Sequence, residues 1–465
     1  MALRTLGTAP WKAASLPRPR SGDGPGDHDP AAVSRALFEL GSAACRRDPH
    51  PVLNALREAG PVLRTREGLL VATSHAVVSR LLADPSWAMI DAGWRDGVTP
   101  GWQDNGALRI IHGSLLGLDG PDHARHRRLT IGALTRAAVE RLRPRLAGIV
   151  DRLLDEFVDA LRAAPNSADP NPAGVGAAAD FHRLVAARLP ALALCALFGL
   201  PESDHGFLAA CARELAYAHE FGPSRAQLRA AAEQADVLTR YLRTVQAAPD
   251  GLLAELRRQA PDHLDDIVGL VGGTVVVAGW ETTTFSLGDV VSLLARFPDQ
   301  AERVRQDPYL VRSAVEEMLR FEPPVLAVMR RATAAGELGG EEVAVGQPAL
   351  LLIGAAHRDP AAFPEPEYFD VSRFEAGRAE VGRAGVGHAG VGHAELGRAG
   401  AEGAPPPRAL TFGRGAHLCV GMHLNRLEVE LVLAGLLERL PVWSAEGVYA
   451  PGRILRSFSS LTLRC

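Results

Sequence analysis

Cys419 is one of five cysteines in the chain, and it has the surroundings best suited to chemistry. It lies in Phe412–Gly421, FGRGAHLCVG, a glycine-spaced loop running straight into an amphipathic helix predicted over Met422–Arg439. Gly413, Gly415 and Gly421 permit turns closed to other residues and let the backbone approach a flat ligand closely. A cysteine at the mouth of a helix has its thiolate stabilised by the positive end of the dipole and by free backbone N–H groups. Such a thiolate suits a soft metal. The competing reading is a buried structural cysteine beside a turn.

Other polar residues stand where they are costly or paired. Ala278-Gly279-Trp280-Glu281-Thr282-Thr283 falls inside a mostly apolar stretch. Thr282 can turn its hydroxyl toward a carbonyl one turn back, which loosens the helix and makes room for a small ligand or water. Glu281 is a carboxylate in an apolar helix, expensive unless it is paired or has proton work. The alternative is a core helix with incidental polar residues. Glu317 and Arg320, in AVEEMLRFEPP, share a helix face at i, i+3. As a surface pair they would contribute only about 0.3–0.5 kcal/mol. His123 and Arg127, in LDGPDHARHRRL, lie four apart on one face.

The elements that position these residues follow from pattern. Residues 1–30 read as a disordered tail without the apolar region of a signal peptide. Ala31–Ala59 reads as mainly helical, Gly60–Thr73 as a hairpin around Arg66-Glu67-Gly68, and Ser74–Ala83 as a helix. Asp84–Leu118 reads as a long loop holding Trp87, Trp94 and Trp102, and loops of that length are usually functional. Helix is predicted over Asp122–Ala163, then a flexible connection over 164–179, then helices from Asp180 to about Gln259, broken at Gly199–Pro201. Asp265–Phe297 reads as a long core helix ended by Pro298, and Pro308–Phe321 as another helix. Strand-like stretches run from Val325 to Ile353 and recur at Val442–Val448 and Arg453–Leu463. Gly377–Ala401, inside the low-complexity stretch 376–407, repeats a five-residue unit with neither helical nor strand period. It reads as a solvated insertion in preference to a metal site at His388 and His393.

Composition is that of an ordinary globular protein: 465 residues, 47% apolar and 22% charged, with a net charge of −4. Nothing in the charge balance suggests a nucleic-acid partner. The cysteines form no paired or framework spacing, which points to a reducing, cytoplasmic compartment. The longest apolar run, Ile267–Trp280, is glycine-interrupted and reads as too short to span a bilayer.

The pattern Phe-x-x-Gly-x-x-x-Cys-x-Gly, preceded in order by AGWETT, Glu-x-x-Arg and PEPEYFDVSRF, resembles the cytochromes P-450 over about residues 31–465. The resemblance implies a single haem domain, mainly α with a smaller β region, built round haem b. It makes Cys419 the metal ligand in a loop shaped by Phe412, Gly415 and Gly421. His123, Arg127, Arg330 and His417 would bind the haem propionates; Arg331 competes with Arg330, although spacing back from Gly340 favours Arg330. Glu281 and Thr282 would deliver protons for O2 activation. Glu317, Arg320 and Arg373 would form a structural charge cluster. The implied reaction is monooxygenation of an apolar small molecule, with a natural product as first choice.

No flavin or iron–sulfur pattern is present, so electrons would come ultimately from NAD(P)H through a separate ferredoxin and ferredoxin reductase. Arg125, Arg128, Arg414 and Arg426 could form a docking face for that partner. A monomer with no membrane partner is expected. Trp87, Met89, Trp94, Val277, Ala278, Trp280, Val325, Leu326 and Phe458 are candidate pocket residues, each equally open to plain core packing; Trp280 either narrows the pocket or packs behind the helix. Three positions depart from the common pattern: His357 in AAHRDP, Ala409 and Asn425. None is expected to touch the chemistry. Two alternatives are oxidative coupling of aromatic rings on the same fold, with a peptide or carrier-bound substrate, and a non-catalytic haem sensor or interaction protein.

Overall fold

The computed structural model describes residues 28–90, 92–98, 101–163, 178–219, 224–375, 407–452 and 454–465. Most of the predicted tail, the connection over 164–177 and nearly all of the 376–407 insertion lie outside the described residues.

The chain enters through helices Pro30–Glu39, Ala43–Arg47 and His50–Ala59. The predicted hairpin is β1 (Val62–Arg64) against β2 (Leu70–Ala72), antiparallel with Val62 opposite Ala72. Gly68 closes it at φ 88°, a conformation that disfavours other residues. α1 (His75–Ala83) starts at Ser74, whose side chain accepts the Val77 N–H.

Asp84–Leu118 is not an irregular loop. It folds into β3 (Trp87–Ala88), a helix over Ala92–Val98, a tight turn at Trp102–Asp104 and a helix over Gly106–His112. Local polar contacts order it: Trp102 Nε1 donates to Asp96 Oδ1 at 2.7 Å, and Asn105 caps the Ala107 and Leu108 amides. Composition alone made this segment look structureless. The helix predicted over Asp122–Ala163 is two helices, α2 (Gly120–Ile131) and α3 (Arg136–Ala163), separated by a turn at Gly132–Leu134 and an extended Thr135.

The long apolar helix runs Leu264–Arg296, 33 residues, so by length and composition it could cross a membrane; 71% of its most apolar window is buried inside the fold, and it is a core helix. Its first part is α-helical over Leu264–Gly269 and its middle, Leu270–Val277, is a π-helix. α4 (Ala278–Arg296) completes it. The loosening therefore lies just before Ala278, not at Thr282. Close packing accompanies it: a Cβ on Gly273 would sit 2.6 Å from Ile110 O. π-Segments of this kind are frequent at functional sites.

α5 (Val311–Phe321) leads into β5 (Ala327–Ala332), the small hairpin β6 (Gly336–Leu338) and β7 (Glu341–Val343), and β8 (Pro348–Leu352). α6 (Met422–Arg439) begins at the residue its sequence pattern predicts. With β4 (Ala178–Asp180), β9 (Ser444–Tyr449) and β10 (Phe458–Arg464) the chain forms sheets ordered β1-β2-β8-β5-β3, β4-β10-β9 and β6-β7. The largest apolar cluster joins α3, α4 and α6 through Phe157, Phe285, Leu287, Val432 and Leu433. α1 covers the five-stranded sheet through Val78 and Leu82. The result is mainly α with a smaller β region.

Candidate active site

The cysteine loop is held by its own backbone. Gly413 and Gly415 adopt φ 70° and 69°. A Cβ on Gly415 would lie 2.9 Å from Ala83 Cα, so the loop is pressed onto the end of α1. Phe412 O accepts the Cys419 N–H at 2.9 Å, and Thr411 Oγ1 donates to Leu319 O at 2.7 Å. Cys419 is accessible, yet protein crowds its thiol closely enough for burial to dominate its acidity. Burial raises the thiol pKa; the Gly421 amide, Arg127, Arg426 and the Met422 amide oppose it but do not win. A cation bound beside the sulfur would favour the thiolate further.

Four of the predicted cofactor residues converge beside this loop. The His123 and His417 rings lie 4.1 Å apart, tilted by 43°. Burial, then the neighbouring charges of His417 and Arg127, push His123 down to about 4. Arg127 is half-buried and lies within electrostatic range of Cys419. Arg330 is buried on β5; its Nη1 donates to Met329 O at 2.8 Å, and burial pushes it down to about 10. No ion pair to Arg330 occurs among the described residues. A buried guanidinium without a carboxylate in contact fits an anionic group belonging beside it. Sequence reasoning missed Asp119, which organises this rim. Its carboxylate accepts the Met89 and Gly120 amides at 2.8 and 2.9 Å, and His417 Nε2 donates to it at 3.3 Å. Its position as the α2 N-cap was the available signal.

On α4, Thr282 Oγ1 donates to Ala278 O at 2.7 Å, the back-bond its sequence suggests. With that donor used, the hydroxyl presents acceptor lone pairs. Ser286 Oγ donates to Thr282 O at 2.9 Å and braces the same turn. Glu281 and Ala278 are half-buried. Trp280 packs behind the helix: it is buried, and its Nε1 donates to Ala187 O at 2.9 Å.

Several other pocket candidates are core residues instead. Trp87 packs in the sheet cluster with Val62 and Leu351. Leu326 belongs to the cluster around Leu53 and Leu352. Phe458 stacks on Phe285 at 5.3 Å and fills the space beside Gly288 and Gly447. Met89, Trp94 and Val325 are half-buried, and the Val277 side chain lies outside the described set. Three of the four arginines considered for docking are engaged internally. Arg125 pairs with Asp266 at 2.6 Å, Arg414 donates to Ser79 Oγ, and Arg426 forks onto Glu316 while lying over the Phe412 ring at 4.6 Å. Arg128 is exposed.

Behind the loop lies a buried charge cluster. Arg320 Nε and Nη2 donate to Glu317 at 2.7 and 2.8 Å, with both side chains 0% exposed. Arg373 Nε donates to the same carboxylate at 3.1 Å and binds Pro364 O and Tyr368 O. His357 joins this cluster to the loop, although its sequence position seemed incidental. Its Nδ1 donates to Arg320 O at 3.0 Å, and its Nε2 accepts the Leu410 N–H at 2.7 Å. Only neutral imidazole can do both. Burial, then Arg320, pushes its pKa well below the ordinary 6.5. Unfolded chain takes up this proton below pH 6.5 and folded chain does not, so the stabilisation is present above 6.5 and is lost as pH falls further. A His357→Asn variant should show a shallower fall in urea midpoint between pH 7.5 and 5.5. One silenced imidazole removes up to about 1.4 kcal/mol per pH unit of that slope. Equal slopes would show that His357 is not held neutral.

Comparison with known proteins agrees with this arrangement. The cytochrome P450 family model matches residues 250–450. The cytochrome P450 monooxygenase PikC of Streptomyces venezuelae is 31% identical over 433 residues, covering 90% of this chain and 91% of that one. The chain belongs to the cytochrome P450 family. Mycinamicin IV hydroxylase/epoxidase of Micromonospora griseorubida is 30% identical over 399 residues, covering 83% and 86%. The crystal structure of CalO2 superposes with a TM-score of 0.74 at 28% identity, covering 92% of this chain and 98% of that one. Membership of the P450 family implies haem, O2 and a redox supply of electrons. The single thiol at a helix start, the buried Arg330 guanidinium without a carboxylate in contact and the glycine-lined loop fit such a group.

Proposed function

We propose that the chain is a haem-thiolate monooxygenase that inserts one oxygen atom of O2 into an apolar natural product. The observation that carries this is the convergence of Arg127, His123, His417 and buried Arg330 beside the accessible thiol of Cys419. Cys419 would ligate the iron of haem b, and the four basic side chains would hold its propionates. Bound haem supplies the oxidising chemistry. Thr282 offers its lone pairs to a protonated ligand or water, and Glu281 passes protons toward that turn. The names of the related monooxygenases support a natural-product substrate.

Electrons would arrive from NAD(P)H through a ferredoxin and its reductase, in the cytoplasm, onto a monomer. A surface pocket of about 280 Å³ runs along α6, lined by Arg136 and by Arg312, which pairs with Glu140 and Glu430. Exposed Arg128 and Arg136, which form no ion pair among the described residues, support docking better than the paired arginines.

The test is turnover of the haem-loaded protein with a ferredoxin chain, isotopically labelled O2 and a natural-product library. Product should carry one labelled oxygen. In Thr282→Ala, reductant consumption should continue into hydrogen peroxide while product falls by roughly 10²-fold, the scale of a lost positioning group in proton transfer. Products lacking two hydrogens and no label would indicate coupling chemistry. Undiminished product from Thr282→Ala would remove Thr282 from the mechanism.

A further inference from the structure

Glu322, at the end of α5, and Arg456, just before β10, are buried at 6% exposure each. Arg456 Nη1 donates to Glu322 Oε2, and His50 Nε2 lies 3.3 Å from the same oxygen. The Arg456 guanidinium also rests on two rings, 5.1 Å from Phe285 and 5.1 Å from Tyr449. Phe458 lies against both, stacked on Phe285 at 5.3 Å and 4.6 Å from Tyr449. Elements far apart in sequence thus meet at one side chain. A buried guanidinium held this way cannot shift without leaving a carboxylate unpaired.

The backbone that carries Arg456 forms a short seam with the residues after Glu322. The Arg456 N–H donates to Pro324 O at 3.0 Å and the Leu326 N–H to Ile454 O at 2.8 Å, with Val325 opposite Leu455 in an antiparallel bridge. Both bridge residues are half-buried. The seam stands between two parts of the site. β5 begins just after it and carries Arg330, and Phe285, under Arg456, is one turn along α4 from Glu281. Asp289, a further turn along α4, is buried with no ion pair or hydrogen bond among the described residues. Burial, then Glu322, raises its carboxyl well above the usual range. Burial works against the Glu322 carboxylate too, yet Arg456, then His50, hold it below that range. One carboxylate charge, on Glu322, therefore faces Arg456, and Asp289 stays a neutral acid.

We infer that Arg456, clamped by Glu322 and by the Phe285 and Tyr449 rings, is a positioning residue for substrate choice: it sets where the Val325–Leu455 bridge stands at the edge of the site. The inference rests on the haem-thiolate reading, but it uses none of the residues that hold the cofactor. An apolar ligand is selected by how closely a few side chains approach it, so a displaced bridge alters affinity for a bulky ligand and spares a small one.

Titration of the haem-loaded full chain with imidazole and with phenylimidazole, followed by haem absorbance, tests it. Imidazole is small and reports on the cofactor; the phenyl group reports on the surrounding wall. In Arg456→Met and Glu322→Gln the Kd for phenylimidazole should rise by roughly tenfold, the low end of what one misplaced apolar contact costs a pocket, while the Kd for imidazole stays unchanged. Arg456→Lys, which keeps the charge on Glu322, should restore part of the difference. Asp289→Asn should match the unaltered protein, since a neutral acid and an amide carry the same charge. If Arg456→Met does not load haem, Glu322→Asp keeps the charge, draws the clamp back by one methylene and should change the ratio of the two constants in the same direction. A cluster that only stabilises the fold would lower the urea midpoint and leave that ratio alone, and this result overturns the proposal. So does equal weakening of both probes. The carbon monoxide spectrum of the unaltered protein, recorded in parallel, separates these outcomes from failure of the haem-thiolate reading.

Discussion

Cys419→Ala should fold, bind less haem, and give no product above the background of free haem. Its reduced carbon monoxide complex should lack the far-red-displaced absorbance of thiolate ligation. The argument starts from what the sulfur does not do. The loop is closed by backbone bonds such as Phe412 O to the Cys419 amide, and is seated on α1 by Gly415; neither uses the side chain. The Sγ atom lies beside the Gly421 and Met422 amides, which favour its anion but do not close the loop. Removing it leaves the loop standing and deletes the donor. The other cysteines provide controls. Burial pushes Cys195 up to about 12 and Cys211 up to about 11, so these are inert structural thiols. Cys465→Ala should leave both spectrum and turnover unchanged. A Cys419→Ala protein that kept the thiolate spectrum would refute the ligand assignment outright.

What could be read from sequence was whatever a few consecutive residues impose on themselves. The start of α6, the Gly68 hairpin and the i, i+3 pairing of Glu317 with Arg320 are local constraints, and the structure has them at the predicted positions. The remainder depends on partners far away in the chain. His357 looked like an incidental replacement because its acceptor role is defined by Leu410, 53 residues on. Asp119 meets His417 across 298 residues, and Asn425 meets Thr283 across 142. The aromatic pocket candidates misled for a related reason. Trp87, Trp280 and Phe458 are large apolar side chains near chemically informative motifs, and such side chains mostly fill the core. The loosening expected at Thr282 lies instead at Leu270–Val277, because the threonine back-bond is visible in sequence, whereas the close approach of Gly273 to Ile110 is not.

The second large effect concerns stability. Glu317→Gln should destabilise the protein by about 3–5 kcal/mol, the range for removing one partner of a buried ion pair. Glu317 has no exposed surface and satisfies three elements at once: Arg320 by a bidentate fork, Arg373 from the segment before the insertion, and the Asp370 amide at 3.0 Å. A glutamine of the same shape keeps one acceptor but removes the charge facing two guanidinium groups. Arg320 cannot retreat to water, because its Nη1 is also committed to His357 O at 2.8 Å and Pro366 O at 3.0 Å. The strain then propagates along a physical chain: Arg320 holds His357, and His357 holds the Leu410 amide two residues before Phe412. Haem retention should therefore fall together with the urea midpoint, although no atom of Glu317 is assigned to the cofactor. Arg373→Ala should do less, since Arg320 remains on the carboxylate. Equal losses from the two variants, or a Glu317→Gln protein with an unchanged midpoint and full haem content, would show that the cluster does not brace the loop.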